Sequence, residues 1–293
     1  MRREKRIFSL FFLALILFYG CKKKSTPKEE NKIIQITVEN SLKPLMEDMI
    51  DVFNYQYPNQ KLKISYKPYH LCKQDLFNPK VDLIVSFNVL TQKEKDLFFN
   101  QNKFYAETDV LAFDALVFLS NQKTPIRSIN LTQISALLEK KIHQNQMLVF
   151  DGQNETAIYN FLSQEFLNGK SFSNHVEGAK NGQELVDYIS KNPNKIGFIN
   201  NLSLNNLPLN LKNLTIASIE TNQKKIEPTK ENILSAQYPL IQPIIFVLKH
   251  NYETPATWFV SFMQQEKGQL IFKQNGLIPS NMNLSIRKIN YKW

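Results

Sequence analysis

The chain has 293 residues, of which 43% are hydrophobic, enough for one large domain or two lobes around a sizeable buried core. Its formal net charge of +10 is spread along the chain rather than gathered in one patch, and the sequence does not show basic and aromatic residues interleaved in one groove. That pattern argues against a nucleic-acid footprint.

Arg2, Arg3, Lys5 and Arg6 precede an apolar run from Ile7 to Tyr19 broken only by Ser9, and Gly20-Cys21 follows. This is the layout of an export signal over residues 1–20, too short for a comfortable membrane span. The first twenty residues carry a net +3, so the chain behind them keeps +7 of the +10. A small residue followed by Cys21 resembles a bacterial lipobox, so Cys21 is expected to carry a lipid and to tether the body outside the cytoplasm. Residues 21–32 hold no apolar side chain after the cysteine and read as a flexible lipidated tether. With Cys21 committed to lipid, Cys72 has no intramolecular disulfide partner, and a Cys-based zinc site is excluded.

Ile33 to Val38 reads as a first strand, followed by the turn Glu39-Asn40-Ser41. Leu42, Leu45, Met46, Met49, Val52 and Phe53 then recur at helical spacing, with Pro44 near the start and Tyr57-Pro58 as a stop. Leu62 to Tyr66 and Val81 to Val85 predict further strands, the latter running into Ser86-Phe87-Asn88. These are βαβ units, whose strand ends collect on one edge. Leu111 to Leu119 is a long apolar strand interrupted by Asp114, and Leu131, Ile134, Leu137 and Leu138 mark a helix.

Met147 to Phe150 breaks at Asp151-Gly152 and restarts at Ile158, Phe161 and Leu162, a strand, a tight turn and a helix that closes at Asn168-Gly169. The unpaired N–H groups of such a helix start can hold an oxyanion. A helix over 182–189, a strand over 196–199, a loop over 200–213 and a strand over 214–219 follow. Residues 223–230 read as a polar connection, 244–248 as a strand, and Trp258, Phe259, Phe262 and Met263 share one helical face. Ser41, Ser86 and the stretch around Asn154 thus all fall at strand ends. Each alone is an ordinary N-cap or turn; three in one α/β chain suggest a ligand site.

Several blocks resemble the phosphate-binding lipoproteins of phosphate ABC transporters, within the periplasmic binding protein superfamily. Glu39-Asn40-Ser41-Leu42-Lys43-Pro44-Leu45-Met46 is similar to the family's first strand-to-helix loop, and Leu131-Thr132-Gln133-Ile134 to its Leu-Thr-x-x-Gln-Leu helix. Lys191 to Phe198 matches the Asn-Pro-x-x-Ile-Gly-Tyr block, and Tyr238-Pro239-Leu240 the segment before the second crossover. Phe262, Glu266-Lys267-Gly268-Gln269 and Gly276-Leu277-Ile278-Pro279 match its C-terminal pattern. The blocks keep family order from about residue 33 to 280.

The resemblance implies an α/β, two-lobed periplasmic binding protein fold with two crossover segments, near Asp114 and near Pro243. Lobe 1 would hold residues 33–113 and 241–293, and lobe 2 residues 114–240. It implies a ligand clamped by Asn40, Ser41, Leu42, Ser86, Phe87, Asn88, Asp114, Gln153, Asn154, Glu155 and Thr156. It also implies an ABC permease partner, a monomer, attachment to a bacterial membrane through the N-terminal lipid, and no nucleic acid.

Two positions depart from the pattern. Phe87 stands where the family often has Asp, and Gln153-Asn154-Glu155-Thr156 replaces Gly-Ser-Gly-Thr, with no nearby arginine. Glu155 in a helix's first turn would occupy the positive end an oxyanion uses, leaving Lys43 as the compensating charge. A non-phosphate polar ligand, or a binding-protein fold serving as an envelope docking or sensing module, is the alternative. The four histidines are scattered, and no Gly-x-Ser-x-Gly or Walker-type loop occurs. Binding rather than catalysis is therefore expected, with no cofactor and no metal.

Overall fold

The computed structural model describes residues 33–87, 90–139, 147–151, 156–207 and 213–281. The export signal, the tether and Cys21 lie outside them, as do Asn88, Gln153, Asn154 and Glu155.

Alternating apolar residues make β1 (Ile34–Glu39) a strand, and a 3-10 turn at Asn40–Leu42 leads into α1 (Lys43–Gln56), with Pro44 in its first turn. Leu45, Met46, Met49 and Phe53 form the buried face of α1. The chain continues through β2 (Leu62–Lys67), the short helix α2 (Tyr69–Gln74) and β3 (Leu83–Phe87), so that Ser86 lies within a strand rather than after it. A capping box between Thr91 and Glu94 starts α3 (Gln92–Asn102), a polar helix with Phe98 as its buried anchor. Strand β4 (Glu107–Asn121) runs 15 residues, longer at both ends than its apolar stretch predicts.

The second half opens with β5 (Ser128–Asn130) and α4 (Leu131–Glu139), followed by β6 (Met147–Asp151) and α5 (Ala157–Leu167). Then come β7 (Glu177–Ala179), α6 (Gly182–Lys191) and β8 (Lys195–Asn200). The stretch predicted as a loop from 200 carries a short helix, α7 (Asn201–Asn205). The single strand predicted over 214–219 is two strands, β9 (Leu214–Ile216) and β10 (Ser218–Thr221). They part at buried Ala217, whose N–H donates to Phe118 O while β9 pairs with β4 and β10 with β5. Within the predicted polar connection lies β11 (Lys224–Ile226), and α8 (Lys230–Leu234) follows it. The chain returns through β12 (Ile241–Leu248), α9 (Pro255–Gln264), α10 (Glu266–Gln274) and β13 (Ile278–Pro279).

The main sheet runs in the order β2-β1-β3-β12-β4-β8-β6-β7. β1, β2 and β3 are parallel to one another, as are β6, β7 and β8, whereas β12 is antiparallel to β3 and β4, and β4 is antiparallel to β8. Following these directions across the sheet, the carboxyl ends of β1 and β3 point toward the second half. Those of β6 and β8 point back toward the first. β4 and β12 are the two crossovers.

The core divides accordingly. One buried cluster gathers β1, α1, β3, β12, α9 and α10 around Phe53, whose ring meets Phe259 edge-on at 4.9 Å and Phe262 at 5.4 Å. Another gathers Leu116, Phe118, Ile134, Phe150, Leu162, Phe198 and Tyr238. Tyr238 is tied to β4 by its hydroxyl, which donates to Leu116 O at 2.8 Å. A Cβ at Gly197 would lie 2.6 Å from Val149 O, so this glycine permits the close pairing of β6 and β8.

Candidate functional site

Register fixes how far apart the facing strand ends lie. Phe87, at the end of β3, pairs with Ile244, which pairs with Ala112 on β4; Asn200, at the end of β8, pairs with Leu116. Four residues of β4 separate these levels, roughly 13 Å at the usual rise per strand residue. Asp114 sits at the midpoint, directly opposite Gln242. The ends of β1 and β3 thus face the end of β8 across this stretch of β4, with Asp114 between the two levels.

The first half contributes the turn after β1. Asn40 is exposed, Ser41 half-buried, and the Leu42 side chain lies in the core beside that of Phe87. Leu42 and Phe87 thus offer the site backbone rather than side chain. The Phe87 N–H donates to Glu39 Oε2 at 3.1 Å, and the Ser41 hydroxyl donates to Glu39 Oε1 at 3.2 Å. Glu39 is only 4% exposed. Ser86 is buried within β3. Lys43 lies 3.6 Å from Glu47, both side chains more than half exposed, so its charge is spent largely on solvent.

The second half contributes Thr156 and the start of α7. Thr156 caps α5, its Oγ1 accepting Tyr159 N–H at 3.3 Å, which leaves the hydroxyl proton to donate elsewhere. Asp114 Oδ2 accepts Leu202 N–H at 3.1 Å, and Oδ1 accepts Ala115 N–H at 2.8 Å. Burial pushes the Asp114 carboxyl up to about 7, and these two backbone donors pull it part of the way back. Gln242 Nε2 donates to Ala157 O at 3.4 Å, joining a crossover strand to the first residue of α5. Ala157 and Leu202 pack in the same buried cluster as Leu42 and Phe87. Side chains from both halves thus share one buried cluster.

Sequence reasoning missed three of the buried polar groups here: Glu39, Asn200 and Gln242. The Asn200 Oδ1 and Gln242 Oε1 atoms are buried acceptors with no protein donor. The signal was available for Gln242, a single polar residue between Ile241 and Pro243-Ile244-Ile245, just as Asp114 interrupts its own apolar run. Among the described residues no group of three His, Cys, Asp or Glu side chains could hold a metal ion. Cys72 is buried, and desolvation pushes its thiol far above its ordinary range. The arrangement sets backbone and hydroxyl donors of the two halves at facing ends of the sheet, with the Ser41 hydroxyl and Phe87 N–H on Glu39 and the Leu202 N–H on Asp114.

Comparisons with known proteins agree with this architecture. Over 294 aligned residues the chain is 26% identical to the phosphate-binding protein PstS of Borreliella burgdorferi, spanning 94% of this chain and 98% of that one. Among solved structures, an ABC-type phosphate transport receptor from Vibrio cholerae superposes with a TM-score of 0.70 at 18% identity, covering 84% of this chain and 99% of that one. A phosphate-bound structure from Clostridium perfringens, described as a putative phosphate ABC transporter substrate-binding protein, gives 0.69 at 17% identity, with coverages of 85% and 99%. These likenesses show the two-lobed periplasmic binding protein fold. The family model described as a PBP superfamily domain matches residues 24–267, and the chain belongs to that superfamily.

Proposed function

We propose that this protein is the solute-binding component of an ABC transporter, that phosphate is its ligand, and that it works outside the cytoplasm, tethered by a lipid on Cys21. The observation that carries the reading is that the ends of β1 and β3 face the end of β8 and the start of α5 across four residues of β4, with Asp114 and Gln242 on the crossovers between them. Lobe 1 is residues 33–113 with 241–293, and lobe 2 is residues 114–240. The two large apolar clusters part for the most part close to residues 113 and 241, which supports these bounds, while Ala157 and Leu202 join the first cluster and Ile278 the second.

The ligand is gripped by Ser41, the backbone around Phe87 and the Thr156 hydroxyl, together with Asn88 of the segment after β3 and Gln153, Asn154 and Glu155 of the segment before α5. The named relatives support phosphate: one is a phosphate-binding protein, another a phosphate transport receptor. Closure commits the ligand because the closed form alone makes contacts from both lobes. Among the described residues no helix is long and apolar enough to cross a membrane. The protein acts as a monomer, delivers its ligand to a permease and catalyses nothing.

Calorimetric titration of the full-length protein in detergent with phosphate, and with sulfate as control, tests this. Saturable heat with phosphate is expected. A second reading, an envelope docking or sensing module, is favoured by the carboxylates Glu39 and Asp114 already seated on strand-end donors. Absence of heat at millimolar phosphate would favour it.

A further inference from the structure

Glu39 ends β1 with its side chain bent across the end of the neighbouring strand. Its two oxygens take the Phe87 N–H at 3.1 Å and the Ser41 hydroxyl at 3.2 Å. Both donors stand at the carboxyl ends of parallel strands in the first half, facing the second. An oxyanion arriving there would need the same two groups, because a carboxylate and a phosphate or sulfate oxygen present equivalent acceptors to N–H and O–H donors. We propose that Glu39 sets the affinity of the cleft: its carboxylate sits where a ligand oxyanion would sit on the Phe87 N–H and the Ser41 hydroxyl, and an incoming anion must displace it.

This rests on the oxyanion-binding reading above and narrows it. Two anions cannot share one pair of donors in a partly buried site without strong repulsion. Lys43, four residues further on, offers little compensation, since its ammonium lies 3.6 Å from Glu47 and over the Tyr66 ring, with its side chain more than half exposed. The second half repeats the pattern, with the Asp114 carboxylate holding the Leu202 N–H at 3.1 Å. Each half therefore presents donors that already hold a carboxylate of the chain itself. A phosphate ligand binds more weakly here than it would to the same loops with an uncharged residue at position 39.

The test is calorimetric titration of inorganic phosphate into full-length wild type, Glu39→Ser and Glu39→Gln, at one pH and low salt, with thermal unfolding of each protein recorded first. Glu39→Ser empties both donors and is expected to bind phosphate tighter than wild type by on the order of tenfold or more. Glu39→Gln removes the charge but keeps an oxygen for the Phe87 N–H, and should fall between the two. Equal or weaker binding in both folded variants would overturn the proposal, leaving Glu39 as a cap of the β3 end or a ligand contact. If wild type binds phosphate and Glu39→Ser loses it, the oxyanion reading stands and this inference falls. If none of the three binds at millimolar phosphate, both fall. Should Glu39→Ser not fold, Glu39→Gln decides alone, with tighter binding supporting the proposal and unchanged binding contradicting it.

Discussion

The carboxylate of Asp114 accepts the backbone N–H of Leu202 at 3.1 Å, joining a crossover strand to the first turn of a short helix 88 positions along the chain. This contact fixes the end of β8 against β4 at the level where the two lobes meet. It also buries a carboxyl group whose hydrogen-bond donors are two backbone N–H groups, and the desolvation is why its proton is held so tightly.

Stability should depend on pH through Asp114. Its folded-state carboxyl titrates near 7 against an ordinary 3.8, so the folded chain holds a proton that the unfolded chain has lost between those values. Stability therefore falls as pH rises from about 4 to about 7 and then levels off, by at most about 4 kcal/mol at about 1.4 kcal/mol per unit. Urea unfolding of wild type and Asp114→Asn across that range checks this. The variant should lose that component of the slope.

Lys249, just after β12, offers a contrasting case. Its ammonium donates to Asp75 O at 2.8 Å and to Asn78 O at 2.5 Å, and burial lowers its pKa to about 8 although Asp75 and Asp82 pull it upward. Lys249→Met would leave the buried Asp75 carbonyl and the half-buried Asn78 carbonyl without this donor, and two carboxylates without this counter-charge. A loss of about 3 kcal/mol is expected in urea unfolding at pH 7, because removing one partner from a buried charged network is costly.

Tyr238 ties the Tyr238-Pro239-Leu240 segment to β4 through one hydroxyl. Tyr238→Phe keeps the packing and removes that bond, for an expected cost of about 1–2 kcal/mol. A larger loss would mean that the hydroxyl also positions the second crossover.

Lipidation is a separate prediction. Cys21→Ser should move the protein from the membrane fraction to the soluble fraction, read by immunoblot after ultracentrifugation. Retention in the membrane would point to an uncleaved apolar anchor at residues 7–19.

Much of the fold was legible because its central elements carry strong patterns. β1, α1, β12 and α9 announce themselves through apolar periodicity and Pro44, and the blocks of the resemblance fixed their order. Elements with weak apolar signals were missed. Helix α3 buries Phe98 on an otherwise polar surface, and its start is marked by the capping pair Thr91 and Glu94 instead. Helix α7 lies in a run of Asn and Leu that reads as loop, and β10 joins a separate sheet that no local pattern reveals. At the site, Asp114 stood out as one charge in an apolar strand. Glu39 did not, because a carboxylate between a strand and a turn looks like an ordinary surface residue until the end of β3 is placed beside it.

The central claim is that an oxyanion binds where the strand ends of the two lobes face each other. The most direct measurement is a phosphate titration followed in the amide spectrum of the isotopically labelled protein. The account predicts saturable shifts concentrated at Ser41, Phe87, Thr156, Ala157 and Leu202, on both sides of the Asp114 level. Shifts confined to one lobe, or centred away from these residues, would contradict it.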